Sequence, residues 1–210
     1  EISDGTEPGQ TRTIRFELPG GLPVELTAVE KRADPDRQEV LEPPTNHHAP
    51  KGPDHITLAS PDVQADAEFL RDVVGFNISD VAMAGPDTWA MAFTRWGAHH
   101  HDVAFIMAPP APATTLHHTA WQMTDVGQMK QFMDVLGKSG HEVEIDFTRH
   151  PLGNNVSVYF RDPARNRVEI TTEVTSLDPD TPTTFHYEDP NIVSTFWPGT
   201  HPKIGEEEDH

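Results

Sequence analysis

The sequence has no cysteine, and only 15 of its 210 residues are lysine or arginine, against 34 aspartates and glutamates. The absence of cysteine excludes disulfide bonds and thiolate metal sites. The formal charge of −19 repels phosphate backbones, so we expect no nucleic-acid partner. Such a charge is typical of a well-dispersed soluble protein; adaptation to high salt is the alternative.

Long apolar runs are also missing. No stretch approaches the roughly 20 consecutive apolar residues of a membrane span, and residues 1–5 have neither the basic region nor the apolar run of a signal peptide. These absences predict a cytoplasmic protein without a membrane partner. The first residue is Glu1 rather than methionine, which indicates a processed or truncated start.

Composition divides the chain into four parts. Residues 1–32 combine a polar tail with two apolar alternations around Pro19-Gly20-Gly21, which predict two strands and a tight turn. Residues 33–52 are rich in proline and charge and are predicted to be a linker. Residues 53–197 form the main domain with a C-terminal lid, and 198–210 form an acidic tail.

The main domain contains a repeat, because the units 53–108 and 114–174 share the pattern β-α-β-β-β. Two such units predict an α+β fold produced by internal duplication. After the helices, strands are predicted near 77–83, 88–95 and 101–107 in the first unit, and near 142–147, 156–161 and 167–172 in the second.

Each unit has one predicted helix. The first opens at Pro61-Asp62 and ends at Gly75. Spacing places four apolar side chains on its buried face: Ala65, Phe69, Leu70 and Val73. The second runs from about Asp125 to Lys138 and ends at Gly140, with its apolar face formed by Val126, Met129, Phe132, Met133 and Leu136.

Three residues form a candidate metal constellation. His55 and His118 occupy equivalent positions in the first strands of the two units, and Glu169 lies in the last strand of the second. Two imidazoles and one carboxylate can occupy one face of an octahedral metal, which suits non-haem Fe(II) because positions stay open for substrate and O₂. Each residue alone also has a structural interpretation: a hydrogen-bonded histidine, or a glutamate that faces solvent in an alternating strand.

Four segments carry a resemblance to a known family. They are Asp54-His55-Ile56, the run from Leu116 to Trp121, the run from His101 to Phe105, and the segment from His150 through Tyr159 and Asp162-Pro163 to Glu169. From about residue 54 to 173 the chain resembles the type I extradiol dioxygenases of the vicinal-oxygen-chelate superfamily, the catechol 2,3-dioxygenase group. Two features depart from the family: a longer stretch between His101 and His118, and Arg165 where glycine is usual, which suggests a reshaped turn.

The resemblance implies tandem βαβββ modules that form a half-barrel around a metal bound by His55, His118 and Glu169. Fe(II) is the implied metal, and Mn(II) satisfies the same ligands. His101 would be the acid–base group, while His150 and Tyr159 would hydrogen-bond substrate oxygens. Phe93 and Leu152 would line the ring pocket. The implied reaction is meta cleavage of a catechol by O₂ to a ring-opened semialdehyde, with an uncharged catechol preferred.

The resemblance also suggests what surrounds the site. Strands 13–26 would close an upstream, mostly absent N-terminal module, and the chain would form a homo-oligomer or associate with that module. A lid over the pocket would be formed by Phe185, Tyr187, Phe196 and Trp197.

Three other functions remain open at this point. One is another metalloenzyme of the superfamily, such as a glyoxalase-like isomerase or an epoxide-opening thiol transferase. The others are a non-catalytic drug-binding module of the bleomycin-resistance kind and a truncated, inactive domain.

Overall fold

A computed structural model describes residues 2–5, 9–29, 48–108, 112–180, 184–189 and 192. Several predicted parts lie outside the described residues: the linker up to residue 47, residues 109–111 of the stretch between His101 and His118, Phe196, Trp197 and the acidic tail. Among the helices in the described ranges, none has the length and apolar character needed to span a bilayer.

Strands dominate the described chain. In order, they are β1 (Ile2–Asp4), β2 (Gln10–Glu17), β3 (Pro23–Val29), β4 (Gly52–Ser60), β5 (Asn77–Gly85), β6 (Thr88–Arg95), β7 (Val103–Met107), β8 (Thr115–Gln122), β9 (Val143–Arg149), β10 (Val156–Arg161), β11 (Arg167–Thr172) and β12 (Phe185–Tyr187). Helix α1 (Val63–Phe69) continues into a π-helical turn (Leu70–Val74), and helix α2 spans Val126–Ser139.

Nine strands form one sheet in the order β12-β5-β6-β7-β4-β8-β11-β10-β9. In each module the first strand pairs in parallel with the last, β4 with β7 and β8 with β11, and the two modules join where β4 pairs antiparallel with β8. The predicted tandem βαβββ fold is therefore confirmed. The middle of the sheet brings β4, β8 and β11 side by side.

The modules are also equivalent in register. His55 corresponds to His118 when β4 is placed on β8, so the parallel pairs Thr57–Ala104 and Ala120–Glu169 are equivalent. Glu169 of the second module thus corresponds to Ala104 of the first. The neighbouring strands correspond in the same way. Phe93 pairs with Ala104 in the first module, and Tyr159 pairs with Glu169 in the second, so Tyr159 corresponds to Phe93. Duplication therefore supplies two histidines but only one carboxylate.

Helix α1 packs differently from the prediction at its C-terminal end. Val63, Ala67 and Leu70 are buried in the core of the first module, but Val73 is 67% exposed. The reason is the π-helical turn, in which the amide of Gly75 donates to the carbonyl of Leu70, five residues earlier. The wider turn rotates the following side chains away from the predicted face, so the prediction for Val73 was wrong.

Helix α2 matches its prediction closely. Asp125 caps it by accepting a hydrogen bond from the Gln128 amide, and Gly140 ends it in the left-handed conformation. Met129 and Leu136 are buried, and the other three predicted apolar residues pack against the same core. This core also contains Val156, Val158 and Ile170 of the adjoining strands.

The N-terminal residues form a separate three-stranded sheet, β1-β2-β3. The two predicted strands are present. The prediction of a polar N-terminal tail was wrong for Ile2–Asp4, which pair with β2 and place Ile2 opposite Ile14. Such cross-strand apolar pairs stabilise an antiparallel ladder.

The turn between β2 and β3 contacts the first module through the buried carboxylate of Asp66. This carboxylate accepts hydrogen bonds from the Gly20 amide at 2.7 Å, the Ser60 hydroxyl at 2.8 Å and the Thr114 hydroxyl at 2.7 Å. A buried carboxylate is costly unless it is hydrogen-bonded, and these three donors meet that need. The bond from Gly20 also fixes the hairpin against helix α1.

The turn at Arg165 keeps the backbone conformation that favours glycine. Arg165 has a φ of 71°, so the expected reshaping of this turn was wrong. The Asp162 carbonyl accepts from the Arg165 amide, and the Asp162 side chain accepts from the Asn166 amide and carboxamide. These bonds hold the turn and offset the left-handed strain at Arg165.

Candidate metal centre

The three predicted ligands meet at the centre of the nine-stranded sheet. His55 lies on β4, His118 on the antiparallel neighbour β8, and Glu169 on β11, which pairs with β8. Their exposed fractions are 5%, 6% and 1%, so all three are buried. One ligand atom from each lies within 4.8 Å of the others.

The separations between these atoms suit a shared metal ion. Glu169 Oε2 lies 3.3 Å from His55 Nε2 and 3.0 Å from His118 Nε2. Ligands bound at about 2.1 Å in neighbouring octahedral positions are about 3 Å apart. His118 Nε2 and Glu169 Oε2 also lack hydrogen bonds although both are buried. Buried polar atoms without partners are costly, and a cation between them would satisfy both.

The charges of the centre are strongly coupled. Burial alone would raise the pKa of Glu169, but His55 and His118 overcome this effect and hold that pKa well below its usual range. Burial likewise opposes the charged form of His55, yet Glu169 and Asp54 raise the pKa of His55 to about 9. The buried carboxylate of Glu169 therefore favours a positive charge at this position.

Neighbouring side chains orient the ligands. Asp54 Oδ1 accepts a hydrogen bond from His55 Nδ1 at 2.7 Å, which leaves Nε2 of His55 directed at the centre. The same oxygen lies 3.1 Å from His99 Nε2. The other oxygen of Glu169, Oε1, accepts hydrogen bonds from the Ser157 hydroxyl and, at 3.3 Å, from the Asn155 carboxamide. Such partners set the direction and basicity of metal ligands.

Sequence reasoning did not single out Ser157 or Asn155. Strand periodicity contains the signal, because residues two apart on a strand face the same side. Counting back from Tyr159 in steps of two gives Ser157 and then Asn155. Polar side chains repeated at this spacing on the inner face of a buried strand indicate support for the ligand opposite them.

All eight residues predicted for the site line one cavity. Its walls also include Thr57, Met91 and Asn155, which were not predicted. The predicted set consists of His55, Phe93, His101, His118, His150, Leu152, Tyr159 and Glu169. The described lining contains no lysine and no arginine.

His101 contacts the centre from a loop, although a strand beginning at residue 101 was predicted. Strand β7 begins at Val103 because the Asp102 side chain and amide bond to Trp96 and Thr94 ahead of the ladder. The centroid of the His101 ring lies 4.1 Å from the centroid of the His55 ring and 5.1 Å from that of the Phe93 ring. Burial, with His55 and His100 nearby, lowers the pKa of His101 well below its ordinary value.

His150 and Tyr159 form a hydrogen-bonded pair on the other side of the cavity. His150 Nε2 lies 2.9 Å from the Tyr159 hydroxyl, and the Tyr159 ring lies edge-on to His118 at 5.3 Å. Burial and the adjacent charge of Glu169 raise the pKa of Tyr159 well above its ordinary value. The phenol therefore stays protonated and can donate a hydrogen bond.

Two of the four residues predicted to form a lid, Phe185 and Tyr187, lie within the described residues. Tyr187 packs against the cluster of Phe93, Ala104 and Leu152 at one end of the cavity. Phe185 is 56% exposed and, with Tyr187, lines a neighbouring cavity. The described lining of the metal-centre cavity includes neither Tyr187 nor Phe185, so the lid stays a prediction.

Comparisons with known proteins identify the family of the chain. Residues 52–170, more than half of the chain, match the Glyoxalase/Bleomycin resistance protein/Dioxygenase superfamily. The chain is 27% identical over 175 residues to metapyrocatechase 2 of Cupriavidus necator, which covers 83% of this chain and 48% of that protein. It spans about half the length of the curated relatives it matches.

Two solved structures show the same fold. The Mn(II)-bound glyoxalase from Novosphingobium aromaticivorans has a TM-score of 0.75 and 28% identity, covering 97% of this chain and 63% of that one. The 2,3-dioxygenase LapB from Pseudomonas sp. KL28 also has a TM-score of 0.75, with 26% identity, covering 89% of this chain and 66% of that one.

Proposed function

Because the chain belongs to the Glyoxalase/Bleomycin resistance protein/Dioxygenase superfamily, we propose that it catalyses extradiol cleavage of a catecholic aromatic by O₂. The product would be a ring-opened semialdehyde. One observation carries the proposal: His101, His150 and Tyr159 line the same cavity as the three candidate ligands. The similarity to a metapyrocatechase and to a 2,3-dioxygenase supports it.

We assign the metal to His55, His118 and Glu169. Held by these three residues, a divalent metal with open coordination positions would supply Lewis-acid and O₂ chemistry to a catechol in the cavity. Fe(II) is the proposed ion because this reaction uses O₂, and two histidines with one carboxylate suit it. Mn(II) is the alternative, supported by the similarity to a Mn(II)-bound structure.

The remaining lining residues would position the substrate and handle its protons. Protonated Tyr159 would donate a hydrogen bond to a substrate oxygen, and His150 would hold the phenol through their 2.9 Å contact. His101 would take up and return a proton on the opposite side, a role suited to a neutral imidazole. Phe93 and Leu152 would pack against the ring, since both are buried and line the cavity.

The substrate we propose is an uncharged catechol. The described lining offers no lysine or arginine to bind a substrate carboxylate. Apolar contact would come from Met91, Phe93 and Leu152.

A second candidate is a glyoxalase-like metal enzyme, favoured by the similarity to the Novosphingobium structure. It would use the same ligands without need for the set of His101, His150 and Tyr159. A non-catalytic binding module would need no ligand set at all. Turnover of a catechol distinguishes both from the main proposal.

We also propose that the separate sheet β1-β2-β3 belongs to a module other than the two βαβββ units. Its own three-stranded ladder supports this division, while Asp66 joins it to the first unit. Association of the chain with such a module, or with a second copy, belongs to the same proposal.

The test is O₂ uptake by purified protein that has been reconstituted anaerobically with Fe(II) and then mixed with simple catechols. We expect a yellow ring-opened product, lost in His118→Ala and Glu169→Ala and retained in Glu173→Gln. Glu173 is the matched control because it is exposed and pairs with Arg149. Metal binding without O₂ uptake for any catechol would overturn the proposal and favour the glyoxalase-like alternative.

A further inference from the structure

A row of three side chains leads away from the metal centre behind His101. His100 Nδ1 lies 2.8 Å from His101 Nδ1, and His100 Nε2 lies 2.7 Å from Asp80 Oδ2. Their exposed fractions are 7% for Asp80 and 3% for each histidine. Only His101 lines the cavity of the metal centre, whereas Asp80 and His100 line a second cavity of about 380 Å³.

The row determines where the protons lie. The Asp80 carboxylate only accepts hydrogen bonds, so His100 must carry its proton on Nε2. When His100 carries this one proton alone, its Nδ1 is an acceptor, and in the 2.8 Å contact His101 is then the donor through its own Nδ1. The other nitrogen of His101, Nε2, is left without a proton and able to accept one.

We propose that Asp80 and His100 are positioning residues that hold His101 in the tautomer with a free Nε2. The inference rests on the proposed function, because a free Nε2 matters only if His101 accepts a proton from substrate. The arrangement follows the logic of an acid that orients one imidazole, extended here through a second imidazole.

A purely structural role for the His100 side chain explains less. The loop is already held by its backbone, because the Ser79 hydroxyl donates to the His100 carbonyl at 2.7 Å and the His100 amide donates to the Thr175 carbonyl at 3.0 Å. The side chain adds no contact needed for these bonds. Its two nitrogens instead connect a carboxylate to the proposed acid–base group.

The tautomer can be measured without activity, by long-range ¹H–¹⁵N NMR of the metal-free protein. The His101 signals are identified by their loss in His101→Gln. We expect a protonated Nδ1 and a free Nε2 in the wild type and in His100→Gln, whose side-chain carbonyl still accepts from His101. His100→Phe removes the acceptor and should move the proton to Nε2. A His101 protonated at Nε2 in the wild type, or unchanged in His100→Phe, would overturn the inference.

Turnover of the Fe(II)-loaded enzyme gives the second readout. We expect His100→Phe to lower kcat about 10- to 100-fold with KM changed by less than about 3-fold, and His100→Gln to restore most of the rate. Asp87→Asn, an exposed carboxylate in the turn after β5, is the matched control. Equal loss of kcat in both His100 variants would contradict positioning, and thermal unfolding checks that each variant is folded.

The two readouts separate the inference from the proposed function. If NMR shows the expected tautomers but no catechol is turned over, the roles of Asp80 and His100 stand and the proposed ring cleavage is overturned. If the enzyme cleaves a catechol but His100→Phe changes neither the tautomer of His101 nor kcat, the proposed function stands and the inference is overturned.

Discussion

At the scale of single residues, the two oxygens of Glu169 have different surroundings. Oε1 accepts hydrogen bonds from Ser157 and Asn155, while Oε2 faces the two histidine nitrogens and has no hydrogen-bond donor. One oxygen is therefore fixed by the protein, and the other is left for a cation. This division makes Ser157 a test of the site that leaves all three candidate ligands in place.

Ser157→Ala removes the hydroxyl that holds Oε1. We expect the dissociation constant for Fe(II) to rise about 10- to 100-fold, because a neighbour that orients a ligand is worth that much in metal affinity. Anaerobic competition with a chelator measures it. Ser139→Ala is the matched control, since Ser139 bonds only to helix carbonyls of α2. Unchanged affinity in Ser157→Ala would show that Oε1 needs no support.

Glu144 is predicted to stabilise the second module through its ion pairs with Arg161 and Arg167. Hydrogen bonding to Arg167 outweighs burial and lowers the pKa of Glu144 from 4.5 to about 2. Its stabilisation is therefore present in full above about pH 4.5 and is lost as the pH falls through 2. We expect Glu144→Gln to lower the free energy of unfolding by about 1–2 kcal/mol at pH 7.

Chemical denaturation at several pH values measures this difference. It should shrink below pH 4.5, and Glu142→Gln, whose exposed pair with Arg165 is weak, should show little effect at any pH. A difference for Glu144→Gln that persists unchanged down to the acid limit would contradict the assignment.

The sequence was enough to propose eight of the residues that line the cavity. It could place a supporting side chain such as Ser157 on a strand face, but it could not specify what that side chain contacts. His55, His118 and Glu169 follow from repeated strand patterns and a motif in register. The roles of Ser157 and His100 depend on which side chains meet across strands and loops, and spacing along the chain does not specify those contacts. His101 was found by motif, but its placement before β7 depends on the bonds of Asp102 to Trp96 and Thr94.

At the scale of elements, the join between the N-terminal hairpin and helix α1 depends on a glycine. A Cβ at Gly20 would lie 2.0 Å from the Thr114 hydroxyl oxygen and 2.6 Å from Asp66 Oδ2. We therefore expect Gly20→Ala to lower the free energy of unfolding by about 1–3 kcal/mol through overpacking. Urea denaturation measures the loss.

Gly97→Ala is the matched control for this change, because a Cβ at Gly97 would meet nothing within 4 Å. Equal stability of the two variants would mean that the hairpin does not pack tightly on helix α1.

The ends of a helix could be predicted where capping residues close in sequence determine them. Asp125 and Gly140 delimit α2 because capping is a short-range effect. The π-helical turn after α1 was not predictable, since the periodicity of 3.6 assumes uniform turns and one wide turn moves Val73 to solvent. Strand β1 was missed because its three residues gain stability only from pairing with β2.

At the scale of the whole molecule, duplication explains both the fold and the asymmetry of its site. The modules place equivalent strands around the join of β4 and β8, so each contributes one histidine to the candidate ligand set. Where the second module has Glu169 and Tyr159, the first has Ala104 and Phe93 at the register positions that correspond. The first module therefore supplies an apolar wall, and the second supplies the carboxylate and the phenol.

The most direct test of this account is the amount of Fe(II) bound per chain after anaerobic loading and removal of excess metal. We predict one Fe(II) per chain in the wild type and in Glu173→Gln, and close to none in His118→Ala and Glu169→Ala, with all four proteins folded by circular dichroism. Stoichiometric binding that survives both ligand substitutions, or no binding of Fe(II) or Mn(II) by the folded wild type, would contradict the assignment of the metal centre.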